Sequence, residues 1–301
     1  MQAAPLTDRG VVLVSGDDAR HFLNGLVTAN VATMSAATPR FAALLTPQGK
    51  IVVDFIVVEI PAEDGGGFLL DVPAALLDGL LTKLKFYKLR AKVTVEDRSA
   101  ALAILGLWGD GVDATDAGAV DGLVIPDPRL PALGLRAVVP AGTAAAVAGT
   151  LGATLADAAD YEAHRVALGV PRGGVDFAYG DAFPHETDMD QLAGVDFKKG
   201  CYVGQEVVSR MQHRGTARSR VVPVAVDGFP PPPGTPVTAG EIAVGTMGSG
   251  TQGRGLALLR LDRVGDALAA GTPLIAGGIA LAPRKPAWAT FAWPGETADA
   301  S

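Results

Sequence analysis

One cysteine stands in 301 residues, Cys201, and its neighbours are of types that tune a thiol. Lys198 and Lys199 precede it, Gly200 and Gly204 flank it, and Tyr202, Gln205 and Glu206 complete the run KGCYVGQE. The spacing of Val207, Val208 and Met211 predicts a helix from about Gly204 to His213, stopped by Gly215 in a left-handed conformation. Cys201 would then lie just ahead of a helix N-terminus. Free amide groups and the helix dipole favour an anion there, and two adjacent ammonium groups act in the same direction, so thiolate character is expected. The glycines leave room for another backbone or a ligand to approach. Covalent catalysis by the thiol would also need a base, and the available one, His213, lies far along the predicted helix.

Several elements must position this stretch. Residues 11–14 read as a strand followed by a short helix, with Ser15 as N-cap, Asp18 as its capping-box partner and Gly25 as the stop. Thr28 and Asn30 follow in a polar loop. Two apolar, β-branched runs, 41–46 and 51–60, joined by Pro47, Gln48, Gly49 and Lys50, predict a β-hairpin. Its second strand carries one acid, Asp54, which must be solvated or partnered in so apolar a run. After a strand over 68–72, Leu76, Leu77, Leu80, Leu81 and Leu84 recur at helical spacing. That helix runs into a cluster of cations, Lys83, Lys85, Lys88, Arg90 and Lys92, with Val93 and Val95 opening another strand. A solvated basic face is the ordinary reading of such a cluster.

Further strands are expected over 101–107, 122–125 and 133–139, with a glycine- and aspartate-rich loop over 109–122. Helices are expected over 142–150 and, capped by Asp157, through Tyr161, His164 and Leu168 to a stop at Gly169 and Pro171. The polar stretch 172–196 has the composition of a loop that closes over a pocket. From Val221 onward, after the turn Pro230–Pro233, short strands around 241–247, 255–261 and 288–293 predict a small β-barrel or sandwich. His164 and His185 have no companions at metal-ligand spacing. No glycine loop of the dinucleotide or Walker type is present.

The wording KGCYVGQE resembles the signature of the folate-binding, iron-sulfur-assembly family known as YgfZ in bacteria and Iba57 in mitochondria. The resemblance extends through GLVTANV at 25–31, LLTPQGKIVVDF at 44–55, KFYKLRAKV at 85–93 and ALGVPRGGVDF at 167–177. That family is a branch of the aminomethyltransferase fold, whose best-known relative is the tetrahydrofolate-using T-protein of the glycine cleavage system. The resemblance implies a folate pocket bordered by Asn30 and Asp54, with Arg90 facing the carboxylates of a glutamyl tail. It implies Cys201 as the functional thiol, supported by Lys199 and Tyr202. It also implies work with iron-sulfur assembly proteins and with [4Fe-4S] client enzymes such as radical-SAM tRNA-modifying enzymes. Cubane clusters ordinarily take four cysteine ligands, so a transient cluster on Cys201 would be shared with a partner or a small thiol. The transferases carry two adjacent acids where this chain has Val53 and Asp54, and an acid in place of Ala167. Those departures weigh against the alternative, a tetrahydrofolate-dependent aminomethyl or methyl transferase.

The fold class expected is α+β: an aminomethyltransferase-like region over 1–220, with a ferredoxin-like lobe at about 41–150, and a C-terminal β-barrel over 221–301. At 49 % hydrophobic and 19 % charged residues the chain has ample apolar material for a core. A net charge of -7 argues against a whole-molecule grip on nucleic acid. One cysteine permits no internal disulfide and suits a reducing compartment. The start MQAAPLTDRG lacks a charged segment followed by an apolar run, and no apolar stretch reaches membrane-spanning length. A cytoplasmic protein without a membrane partner is therefore expected.

Overall fold

The computed structural model describes residues 1–111, 120–215 and 217–296. The loop predicted over 109–122 falls largely on residues outside that set. The chain divides into two compact units, one of Met1–Glu162 with Leu192–Gln205, the other of Ala163–Gln191 with Glu206–Ser301.

The first unit holds two five-stranded sheets. Its strands are β1 (Gln2–Pro5), β2 (Arg9–Ser15), β3 (Arg40–Leu45), β4 (Ile51–Glu59), β5 (Phe68–Pro73), β6 (Thr94–Asp97), β7 (Leu102–Trp108), β8 (Leu123–Pro126), β9 (Leu135–Pro140) and β10 (Thr154–Leu155). One sheet has the order β3-β4-β5-β2-β6 and the other β10-β1-β7-β9-β8, so the segment expected to form one ferredoxin-like lobe supplies strands to both. Helices α1 (Ala19–Leu26), α2 (Leu77–Lys88) and α3 (Ala144–Thr150) belong to this unit, and α4 (Ala158–Leu168) begins in it. The leucine spacing of α2 does what it predicts: Leu77, Leu80 and Leu84 are buried in one core with Val12, Phe55 and Leu70. The β3–β4 hairpin also forms as expected, with Gly49 at φ 81° in its turn.

Two buried carboxylates join the sheets. Asp71 on β5 accepts from Arg9 Nε at 2.6 Å and from Arg136 Nη1, on β9, at 2.5 Å. Asp127 accepts from Arg136 Nε at 2.9 Å and from both Nε and Nη2 of Arg129 at 2.9 and 2.7 Å. Burial alone would raise the pKa of Asp127, but Arg129 and Arg136 outweigh it and hold the carboxyl well below the usual range. Bidentate geometry of this quality is what a buried ion pair needs to offset its desolvation.

The second unit is built on a closed barrel of β11 (Ser219–Ala225), β14 (Arg254–Arg260), β13 (Ile242–Thr251), β12 (Pro236–Ala239), β15 (Leu274–Ala276) and β16 (Ile279–Pro283). Closure leaves no sheet edge unpaired. Helix α6 (Leu261–Ala269) buries Leu261, Val264 and Ala267 in the same core as the barrel valines. The remaining helix of this unit, α5 (Gln205–Arg214), follows the cysteine stretch. Arg165 is 2 % exposed and donates to Asp176 Oδ2 at 2.9 Å and to Ser249 Oγ at 2.6 Å, which fixes the strand-poor part of the unit.

Three local expectations are corrected. Ser15 ends β2 and does not cap α1; Asp18 holds that place without a side-chain cap, because its carboxylate accepts from Lys92 N at 2.8 Å. Gly25 lies inside α1, which ends at Leu26. Residues 288–293 form no strand; Trp288 instead donates through Nε1 to Leu168 O at 2.8 Å.

Candidate functional site around Cys201

Residues 192–204 are sewn to the segment after α1 by backbone-directed bonds. Thr28, fully buried, donates through Oγ1 to Gly194 O at 2.6 Å and accepts from Ala43 N at 2.8 Å. Its carbonyl receives Asp196 N at 3.0 Å. Asp196 then folds the chain back on itself, its Oδ1 accepting from Lys198 N at 2.8 Å and Lys199 N at 3.0 Å. An aspartate bonding the amides two and three residues on is an Asx-type turn, which the sequence DFKK permits.

This turn drives Lys199 inward. Its ammonium donates to three carbonyls at and just beyond the end of α1, Asn24 O at 2.7 Å, Val27 O at 2.7 Å and Ala29 O at 2.6 Å. The last carbonyls of a helix have no partner within it and carry its negative pole, so a cation is favoured there. Burial lowers the amine pKa to about 8, while the charge of Asp196 works to raise it. Lys199 Nζ also lies 5.3 Å from the ring centroid of Tyr202, itself 7 % exposed, and burial and Asp196 push that phenol up to about 12. Both residues named as supports of the thiol are thus buried next to it in the chain, with the Lys199 ammonium bonded to the three carbonyls.

Cys201 is the exposed residue between Lys199 and Tyr202. Gly200 is open as well: a Cβ added there meets nothing within 4 Å. Gly204 is the opposite case, with φ 80° and a notional Cβ only 2.5 Å from Thr46 O in the β3–β4 turn. Gln205 closes the loop, its Oε1 accepting from Tyr202 N at 3.3 Å. Glu206 faces solvent and pairs with Arg210 at 2.6 Å along α5. Among the described residues no group of three or more His, Cys, Asp or Glu could hold a metal ion.

A cavity of about 360 Å³ opens beside the loop, lined among others by Asn30, Arg40, Val195, Asp196, Phe197 and Lys198. Of the residues expected to hold folate, Asn30 is here. Asp54 is half-buried on β4, and Arg90 is exposed beyond α2; neither lines this cavity. Val53, where the transferases carry an acid, is 1 % exposed and packs in the core. Arg40, Phe197 and Asp196 were not singled out in the sequence. Arg40 and Phe197 carry no local signal, whereas Asp196 sits in a readable turn pattern.

The two-sheet unit and barrel define an aminomethyltransferase-type fold. A crystal structure of glycine cleavage system aminomethyltransferase T from Bartonella henselae superposes with a TM-score of 0.75 over 97 % of this chain and 87 % of that one, at 16 % identity. Residues 6–115 match the family model of the GCVT N-terminal domain, and 218–291 that of the CAF17 C-terminal beta-barrel domain.

The chain belongs to the IBA57 family. It is 34 % identical over 295 residues to the iron-sulfur cluster assembly factor IBA57 homolog, mitochondrial, of Pyricularia oryzae, covering 90 % of this chain and 75 % of that one. It is 33 % identical to mitochondrial IBA57 of Mus musculus over 281 residues, 86 % and 77 % of the two chains. With the Mycosarcoma maydis homolog the identity is 37 % over 240 residues, 76 % of this chain but 59 % of the relative's length. These relatives are mitochondrial by name, which overturns the cytoplasmic location expected from the sequence.

Proposed function

We propose that this protein serves the assembly or repair of iron-sulfur clusters, with Cys201 as one thiolate ligand in a cluster shared with a partner. The observation that carries the reading is the display of the single cysteine. Lys199 and Tyr202 are buried, and the thiol between them stands in solvent beside the open Gly200. Such an arrangement suits a thiol that meets another macromolecule. It does not suit one that works inside a closed pocket. One thiolate leaves a [4Fe-4S] cluster short of ligands, so the remainder come from an assembly protein, a client enzyme or a small thiol. The names of the relatives support cluster assembly; the clients proposed are [4Fe-4S] enzymes such as radical-SAM tRNA-modifying enzymes.

We further propose that the cavity beside the loop takes the folate. Its volume is in the range of small-molecule sites. The Asn30 amide would meet the polar edge of a pterin ring, Phe197 its face, and Arg40 and Lys198 the carboxylates of the tail. Tetrahydrofolate would supply one-carbon chemistry when bound. Val53, buried in the core, stands where the transferases carry the first of two adjacent acids, and only Asp54 of that pair remains, so the reading proposed is folate binding in preference to one-carbon transfer.

The test is a deletion strain restored at equal protein level with wild type or Cys201→Ala, assayed through a [4Fe-4S]-dependent tRNA-thiolating enzyme. Recovery with wild type only is expected. Equal recovery with both would make Cys201 structural and overturn the reading.

A further inference from the structure

We propose that the C-terminal tip of α2 is a contact site for an anionic lipid surface, independent of the chemistry at Cys201. Phe86 and Leu89 are 75 % and 85 % exposed, the two highest values for large apolar side chains among the described residues. They are not the edge of the helix's buried stripe. That stripe is Leu77, Leu80 and Leu84, which are packed in the core.

The backbone makes the exposure harder to dismiss. Leu89 has φ 43° and ψ -107°, and the turn around it is closed by Ala91 N donating to Lys88 O at 2.8 Å. Positive φ at the first central residue of a turn is a place for glycine, and a leucine there is strained. The chain therefore holds a large apolar side chain outward at a position where glycine would fit more easily.

Charge surrounds the two side chains. Lys83, Lys85, Lys88 and Arg90 lie within eight residues, and none makes an ion pair among the described residues. In a chain of net charge -7, four cations and the two most exposed large apolar side chains of the described residues come together at one helix end.

Apolar side chains that enter the acyl boundary, with cations at the level of anionic headgroups, are the signature of interfacial binding. Lysine stems can lie along the apolar material while their charges stay in water. A protein partner is the less suited occupant. A stable protein interface covers about 800 Å² per partner with matched shape, whereas this tip is a short convex end that does not line the cavity beside Cys201. A bilayer accepts projecting side chains without shape matching. The expectation of no membrane partner rested on the lack of a spanning segment, and contact of this type needs none.

The experiment is co-sedimentation of the full chain with vesicles of phosphatidylcholine alone or of phosphatidylcholine with phosphatidylglycerol. Two double variants accompany it, Phe86→Ser with Leu89→Gly, and Lys83→Glu with Lys85→Glu. Wild type should bind the anionic vesicles and not the neutral ones, with release by added salt. Each double variant should lower the binding about tenfold or more. Thermal unfolding of Leu89→Gly alone should match or exceed wild type, which separates lost binding from lost folding. Failure of wild type to bind anionic vesicles, equal binding to neutral ones, or binding indifferent to both double variants would each overturn the proposal. If wild type ignores all vesicles while the variants lose function in the host, the tip belongs to a protein partner and the lipid reading is wrong.

Discussion

Lys199→Met removes the clamp under the cysteine loop while keeping the length of the side chain. Three carbonyls, those of Asn24, Val27 and Ala29, lose a donor held at 2.6–2.7 Å. A buried acceptor left unpaired costs about 1–3 kcal/mol. Methionine, however, escapes the burial of a charge. Burial lowers the Lys199 pKa from 10.5 to about 8. At ~1.4 kcal/mol per tenfold change in proton affinity, that gap corresponds to roughly 3 kcal/mol. With three acceptors stranded at about 2 kcal/mol each, the loss outweighs that relief and the net at neutral pH is about 3 kcal/mol.

The pH dependence separates this account from a loss of packing. Between pH 8 and 10.5 the unfolded chain keeps a proton on Lys199 that the folded chain has released. Unfolding then takes up a proton, so wild-type stability rises with pH through this window. Methionine has no proton to lose, and the gap between the two proteins should widen by roughly 2–3 kcal/mol. Urea unfolding on either side of pH 8 reads the global value. Amide hydrogen exchange at Ala29, Gly200 and Tyr202 reads the loop itself, which matters because two compact units need not unfold as one. Equal stability of the two proteins at neutral pH, with parallel pH profiles, would refute the clamp. Lys199→Arg is a useful companion, since its planar fork cannot converge on three carbonyls as an ammonium does.

The two glycines of the motif should respond oppositely. Gly204→Ala forces a Cβ to within 2.5 Å of Thr46 O at positive φ, and should lose about 2–4 kcal/mol in chemical denaturation. Gly200→Ala, which meets nothing, should stay within about 0.5 kcal/mol of wild type; a loss of cluster-assembly function at unchanged stability would mark that open space as the approach for the partner. For the cavity, Arg40→Ala should weaken tetrahydrofolate binding about tenfold in calorimetric titration through loss of a charge-assisted bond, and unchanged affinity would remove the folate from this site.

Legibility in the sequence followed the range of the interactions. The β3–β4 hairpin, the leucine stripe of α2 and the helix after the cysteine each rest on neighbours within a few residues, and each appears where periodicity and turn residues put it. Ser15 failed as a cap because the strand pairing of β2 extends through it, up to Thr94 on β6. The Trp288 stretch is apolar and aromatic enough to read as strand, yet its indole is spent on a carbonyl 120 residues away. The same limit applied at the site. KGCYVGQE announced the thiol, but the role of Lys199 is set by carbonyls 170–175 residues earlier, so spacing alone assigned its charge to Cys201. The cellular location was misread for a different reason: composition and a starting segment say little about a compartment, and relatives carried that information.

The most direct measurement is the iron content of a [4Fe-4S] client enzyme isolated from cells that carry Cys201→Ala at wild-type abundance, before and after chemical reconstitution of the purified client. The account predicts a client depleted of cluster iron and inactive as isolated, which regains activity once its cluster is rebuilt in vitro. A client isolated with full iron and full activity would contradict it, because cluster supply would then proceed without the only thiol this protein has to offer.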